Sequence, residues 1–199
     1  MTTQGFGATV DDIATRALRD ELTDLKCGKL LELMEGPQTP YKKSPHFKGQ
    51  MRLTDAYLAD GSSVIKQLPK HIQKITNALP REFCDVNCFR SALYWHFPNV
   101  PLKALTWIDF QAATFKNFDR LQGSDQVHLG DLLVYNQYDT HGYHAGILVG
   151  MGLTDYILWH KGSNDHRDPW TLEGLRDASR DYRSQGDFTL EIYRLKNKR

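Results

Sequence analysis

Cysteine is scarce in this chain. Three residues, Cys27, Cys84 and Cys88, in 199 are odd in number and sparse, which excludes the dense, even framework of a disulfide-built domain and leaves at least one thiol free. A charge of one sign is also missing: 25 basic against 24 acidic residues give a net charge of +1, so no field gathers nucleic acid or an anionic membrane surface. No apolar run approaches the roughly 18 residues a membrane span needs, so no membrane insertion is expected. The opening stretch, Met1 to Asp20, lacks a basic segment followed by an apolar one. The expectation is a protein made in the cytoplasm without a signal peptide, with room for secretion by another route. Glycine-rich phosphate loops and the G-x-S-x-G serine elbow are absent as well.

What is present falls into two regimes. Apolar residues from Val10 to Met34 recur at steps of three and four, which reads as one long helix or two short ones. Gly36 to Gln50 is a Pro-, Gly- and Lys-rich loop, and Leu53 to Leu79 is helical again with a break near Pro69. A further short helix begins near Cys88, with Phe89, Ala92 and Leu93 as its apolar face and Pro98 beyond its end. After Pro101 the pattern changes to short apolar runs, Leu132 to Tyr135, Ala145 to Val149 and Tyr156 to Trp159, and a closing strand from Asp187 to Leu195. Helices first and strands later give an α+β class. We divide the chain into a helical N-terminal elaboration, 1–75, and a core, 76–199, within one compact unit.

The segment Asp85-Val86-Asn87-Cys88-Phe89-Arg90 places a thiol where a polar turn becomes a helix. A helix N-terminus favours the thiolate, and Asp85 or Asn87 is available as the cap. A nucleophile of this kind needs a base and a group that orients the base. His144 opens one strand and His160 closes the next, sixteen residues on, so an antiparallel hairpin makes them neighbours. The expected catalytic set is therefore Cys88, His144 and His160. Cys27 and Cys84 are read as structural. His141-x-x-His144 with His160, Asp165 or His166 is the competing zinc arrangement, but glycine and strand context defeat the helical metal-binding spacing. No metal and no cofactor are expected.

Taken together, "DVNCFRSAL", Gly130-Asp131-Leu132, His144-Ala145-Gly146-Ile147 and "YILWH" resemble the NlpC/P60 superfamily of papain-like cysteine peptidases and amidases. The resemblance covers roughly residues 80 to 165. The family's Asp-Cys-Ser-Gly run reads Asn87-Cys88-Phe89-Arg90 here, and Asn164 is an alternative to His160 as the third member. The resemblance implies a papain-like fold with the nucleophile helix packed on an antiparallel sheet. It also implies hydrolysis of amide bonds in peptidoglycan, with Tyr143, Trp159, Ser163 and Asn164 lining the substrate cleft. A compact enzyme of this type looks like an antibacterial effector of type VI secretion, delivered to the periplasm of a target cell and opposed by a cognate immunity protein. The rival expectations are a protease, deamidase or acyltransferase acting on proteins, and a catalytically idle binding domain.

Overall fold

The computed structural model describes residue 26 and residues 64–76, 86–137, 142–151, 156–161, 170–183 and 188–197. The helices are α1 (Val64–Gln67), α2 (Lys70–Thr76), α3 (Cys88–His96), α4 (Trp107–Asn117) and α5 (Leu175–Arg183). The strands are β1 (Phe118–Arg120), β2 (Leu132–Gln137), β3 (Gly142–Met151), β4 (Tyr156–Lys161), β5 (Trp170–Gly174) and β6 (Phe188–Leu195). They form one six-stranded sheet in the order β1-β6-β2-β3-β4-β5, with every neighbouring pair antiparallel. The mixed α+β class read from the sequence is the class observed.

Side chains alternate across a strand, so one sheet supplies two cores. One face carries Leu132, Val134, Ala145, Ile147, Val149, Ile157, Trp159 and Leu172, packed with Val64, Leu68, Ile72 and Ile75 of the α1–α2 segment, Phe89, Ala92 and Leu93 of α3, and Phe110 of α4. The other face carries Leu133, Tyr135, Leu148, Leu158, Leu190 and Ile192 against Leu175 and Ala178 of α5. The sheet is thus the middle of three layers, and residues 64–76 belong to the core rather than to an appendage.

The break expected at Pro69 is present: α1 ends before it, and its carbonyl accepts from the N–H groups of Ile72 and Gln73 as α2 begins. Of the Val10 to Met34 stretch only Lys26 is described. It forms an isolated antiparallel bridge with Gln126, so at that residue the chain is paired as a strand would be rather than helical. Two helices escaped the sequence reading. In α4 only Phe110 and Thr114 are buried, while Ile108 and Phe115 are exposed, which inverts the expected apolar stripe. In α5, Leu175, Ala178 and Ser179 are buried within an otherwise charged segment.

The Gly-Asp-Leu element has a structural task. Gly130 has φ of 90°, a left-handed conformation that suits glycine, and it turns the chain into β2. Asp131, 3% exposed, accepts from the His128 N–H and from Arg194 Nε and Nη2 at 2.9 and 2.7 Å, which ties the entry of β2 to the far end of β6. Removing one partner of a buried charge pair leaves the other desolvated and uncompensated. Arg194→Ala should lower the unfolding free energy by about 3 kcal/mol. Urea denaturation checks this, and a change below about 0.5 kcal/mol would remove Asp131–Arg194 from the fold's determinants.

Candidate active site

Asn87 is the cap of α3: its Oδ1 accepts from the Arg90 N–H at 3.1 Å. The same side chain also binds both backbone groups of Leu105, donating to its carbonyl at 2.7 Å and accepting from its N–H at 3.2 Å. One asparagine thus fixes the helix start and the segment leading to α4. Cys88 follows as the first helical residue, and its thiol lies among the backbone N–H groups of Cys88, Phe89 and Ala145. These donors and the buried ammonium of Lys161 favour the thiolate. Burial outweighs them: Cys88 is 5% exposed, and desolvation pushes its pKa up to about 11. The helix terminus favours the thiolate, as expected, but does not offset this burial, so the resting group is the thiol.

The paired register of β3 with β4 runs from Met151↔Tyr156 to Ile147↔Trp159. Gly142 to Gly146 and His160 to Lys161 lie beyond it, and a register shift also interrupts β2–β3 at Tyr135/Asn136. At this end of the sheet, side chains connect the strands. His144 Nε2 meets His160 Nδ1 at 3.0 Å, with the two rings perpendicular. His160 Nε2 lies 3.2 Å from both Glu173 Oε2 and Thr171 Oγ1 on β5. The adjacency expected from the sixteen-residue spacing is present. Both imidazoles are buried, His144 beside the Tyr135 ring, and burial with the neighbouring His160 holds the His144 pKa well below the usual histidine value. A neutral imidazole is the form that accepts a proton.

His144 shares a strand face with Gly146 and Leu148, toward α5, whereas Ala145 faces α3. The thiol meets β3 at the Ala145 N–H, one residue past His144 in the chain. Gly146 makes room for the side chains of β4: a Cβ there would stand 2.7 Å from Leu158 Cδ1 and 3.2 Å from His160 Cβ.

The remaining expected site residues fare differently. Trp159 does not line a cleft; it is fully buried, its indole N–H donates to Thr76 Oγ1 at 3.0 Å, and its ring packs near Trp95. The reason is strand parity, since Trp159 must face away from its neighbour His160. Tyr143 is placed only by its backbone on β3. Ser163 and Asn164, like Cys27, Cys84, Asp85, His141, Asp165 and His166, lie outside the described residues. Among the described residues no group of three His, Cys, Asp or Glu side chains is arranged to hold a metal, and no helix is long and apolar enough to cross a membrane. Sequence reasoning missed Glu173, Thr171 and Lys161. Trp170-Thr171-Leu172-Glu173 alternates apolar and polar residues, which was the available signal for β5. No family model, curated protein or solved structure matches the chain.

Two outcomes follow from the geometry. Gly146→Ala should displace Leu158 or His160 and destabilise the fold by about 1–3 kcal/mol. Histidine chemical shifts would register a moved His160, and unchanged stability and shifts would contradict the close approach. For pH, His144 and His96 both have depressed pKa values, the latter lowered to about 4 chiefly by burial. The unfolded chain then binds protons that the folded one does not, so stability is complete above about pH 6.5 and falls as the pH drops below it. Urea midpoints between pH 7.5 and 5 should decline, and His96→Asn should flatten the slope; a midpoint independent of pH there would refute both assignments.

Proposed function

We propose that the protein is a cysteine-dependent amidase or endopeptidase of papain-like, NlpC/P60 type that hydrolyses peptide bonds in bacterial peptidoglycan. The observation that carries this reading is the thiol at the start of α3, set against β3 one residue from a buried, hydrogen-bonded histidine pair. In this mechanism His144 takes the Cys88 S–H proton as the sulfur attacks the substrate carbonyl carbon. The tetrahedral intermediate collapses with cleavage of the C–N bond, and the proton passes from His144 to the departing amine. Water then attacks the thioester, its proton returns through His144, and the carboxylate product leaves the regenerated thiol. The N–H groups of Cys88 and Phe89 lie in the first helical turn, where they have no intrahelical acceptor, and suit them to receive the oxyanion. Delivery by a secretion machine into the periplasm of a rival cell, with an immunity protein to protect the producer, belongs to the same reading.

The test is incubation of the purified protein and Cys88→Ala with isolated Gram-negative peptidoglycan, resolving the products by liquid chromatography and mass spectrometry. New muropeptides from the parent alone, and a loss of at least about a hundredfold in the variant, are expected. A second reading has a specific observation in its favour: the deep burial of Cys88 and its raised pKa suit a packing cysteine in an idle binding domain. Unchanged peptidoglycan with both proteins, and Cys88 alkylated by iodoacetamide no faster than an unfolded cysteine, would favour that second reading. Unchanged peptidoglycan with a fast-reacting Cys88 would move the substrate to proteins, as a protease, deamidase or acyltransferase.

A further inference from the structure

His160 stands between two acceptors of different strength. Glu173 Oε2 and Thr171 Oγ1 are each 3.2 Å from its Nε2, and the Thr171 hydroxyl also lies 3.5 Å from the His160 carbonyl. A carboxylate accepts only, so the Nε2 facing it carries the proton. His160 Nδ1 is then an acceptor, and the atom 3.0 Å away, His144 Nε2, must be the donor. A neutral His144 with its proton on Nε2 has its lone pair on Nδ1. The chain of assignments begins at Glu173, two side chains from the nitrogen it defines.

We propose, resting on the cysteine-hydrolase reading, that Glu173 is a positioning residue whose carboxylate fixes the tautomer of the His144–His160 pair and so makes His144 Nδ1 the basic nitrogen. Glu173 touches neither thiol nor substrate; it acts through His160. Its charge has a second effect, because a carboxylate in contact with the pair favours the cation that forms when His144 accepts the thiol proton. Thr171 supplies a neutral acceptor at the same nitrogen, so it supports the tautomer without supporting the charge. Other titratable or charged groups on the elements packed around the pair are Tyr135 on β2, whose ring lies beside His144 and whose hydroxyl is 3.2 Å from Ser179 Oγ; Arg176 and the Asp177–Arg180 pair on α5, the helix that packs against β4; and Lys161, which follows His160 on β4 and faces the Cys88 side.

Nitrogen-15 spectra of the full chain, recorded against pH for the parent, Glu173→Gln, Glu173→Leu and Thr171→Val, read the proposal without any substrate. The parent and Thr171→Val should show both imidazoles protonated on Nε2 at neutral pH. Glu173→Gln keeps an acceptor oxygen and should retain the tautomer, while the protonation of the pair moves to lower pH by about one unit. Glu173→Leu should produce a mixed His160 tautomer. Where hydrolysis is measurable, both variants should lower kcat roughly tenfold or more with KM within about twofold, and the acid limb of the pH profile should move with the spectra. Tautomers and protonation unchanged in Glu173→Leu would overturn the proposal, and if that variant does not fold, an unshifted protonation step in Glu173→Gln does the same. An inactive parent with the expected spectra would instead overturn the hydrolase reading and leave the relay standing.

Discussion

A buried imidazole must give its N–H to an acceptor and find a donor for its lone pair, and two of them in one layer must do so in a consistent order. That constraint organises this sheet. His144 and His160 occupy the α5 side just past the Ile147↔Trp159 pair of β3 and β4, joined by a side-chain hydrogen bond. The order then runs outward to β5, where Glu173 and Thr171 complete it. Burying such groups unpaired would cost several kcal/mol, so the register of three strands is held by polar demand as well as by apolar packing. Gly146 is the concession the layer makes, because a side chain there would collide with Leu158 and crowd His160.

Much of this was legible in the sequence. The runs beginning at Leu132, Ala145 and Tyr156 are strands, the closing segment from Phe188 is a strand, and the helix at Cys88 starts where its cap residue said it would. The neighbourhood of His144 and His160 followed from antiparallel geometry alone. What was not legible is equally physical. Helix α4 puts Ile108 and Phe115 into solvent, which blurs its apolar stripe, and α5 buries Leu175, Ala178 and Ser179 at helical spacing within a highly charged segment. Trp159 is fully buried, its indole N–H on Thr76, which the sequence alone did not indicate. The pKa of Cys88 was beyond reach, because a helix start is local while the burial that opposes it is assembled from α3, β3 and β4 together.

The thiol's raised pKa and the imidazole's lowered one belong together. With the thiol pushed up to about 11 and the histidine held well below its ordinary value, both groups are neutral at physiological pH, and there is no preformed thiolate and imidazolium. Both shifts have the same cause, desolvation, which penalises either charged form. Under the proposed hydrolysis, an incoming amide would add the oxyanion donors of the helix start to the balance, and charge separation would accompany bond formation.

The β3–β4 register ends at Ile147↔Trp159, and just past it the Ala145 N–H is directed to the Cys88 sulfur while His144 bonds His160. Lys161 and His160, adjacent in β4, carry their side chains to those two sides, one toward the sulfur and one toward the imidazole. This end of β3 and β4 thus carries an ammonium and a thiol on the α3 side and a histidine pair on the α5 side, each anchored in its own packed layer.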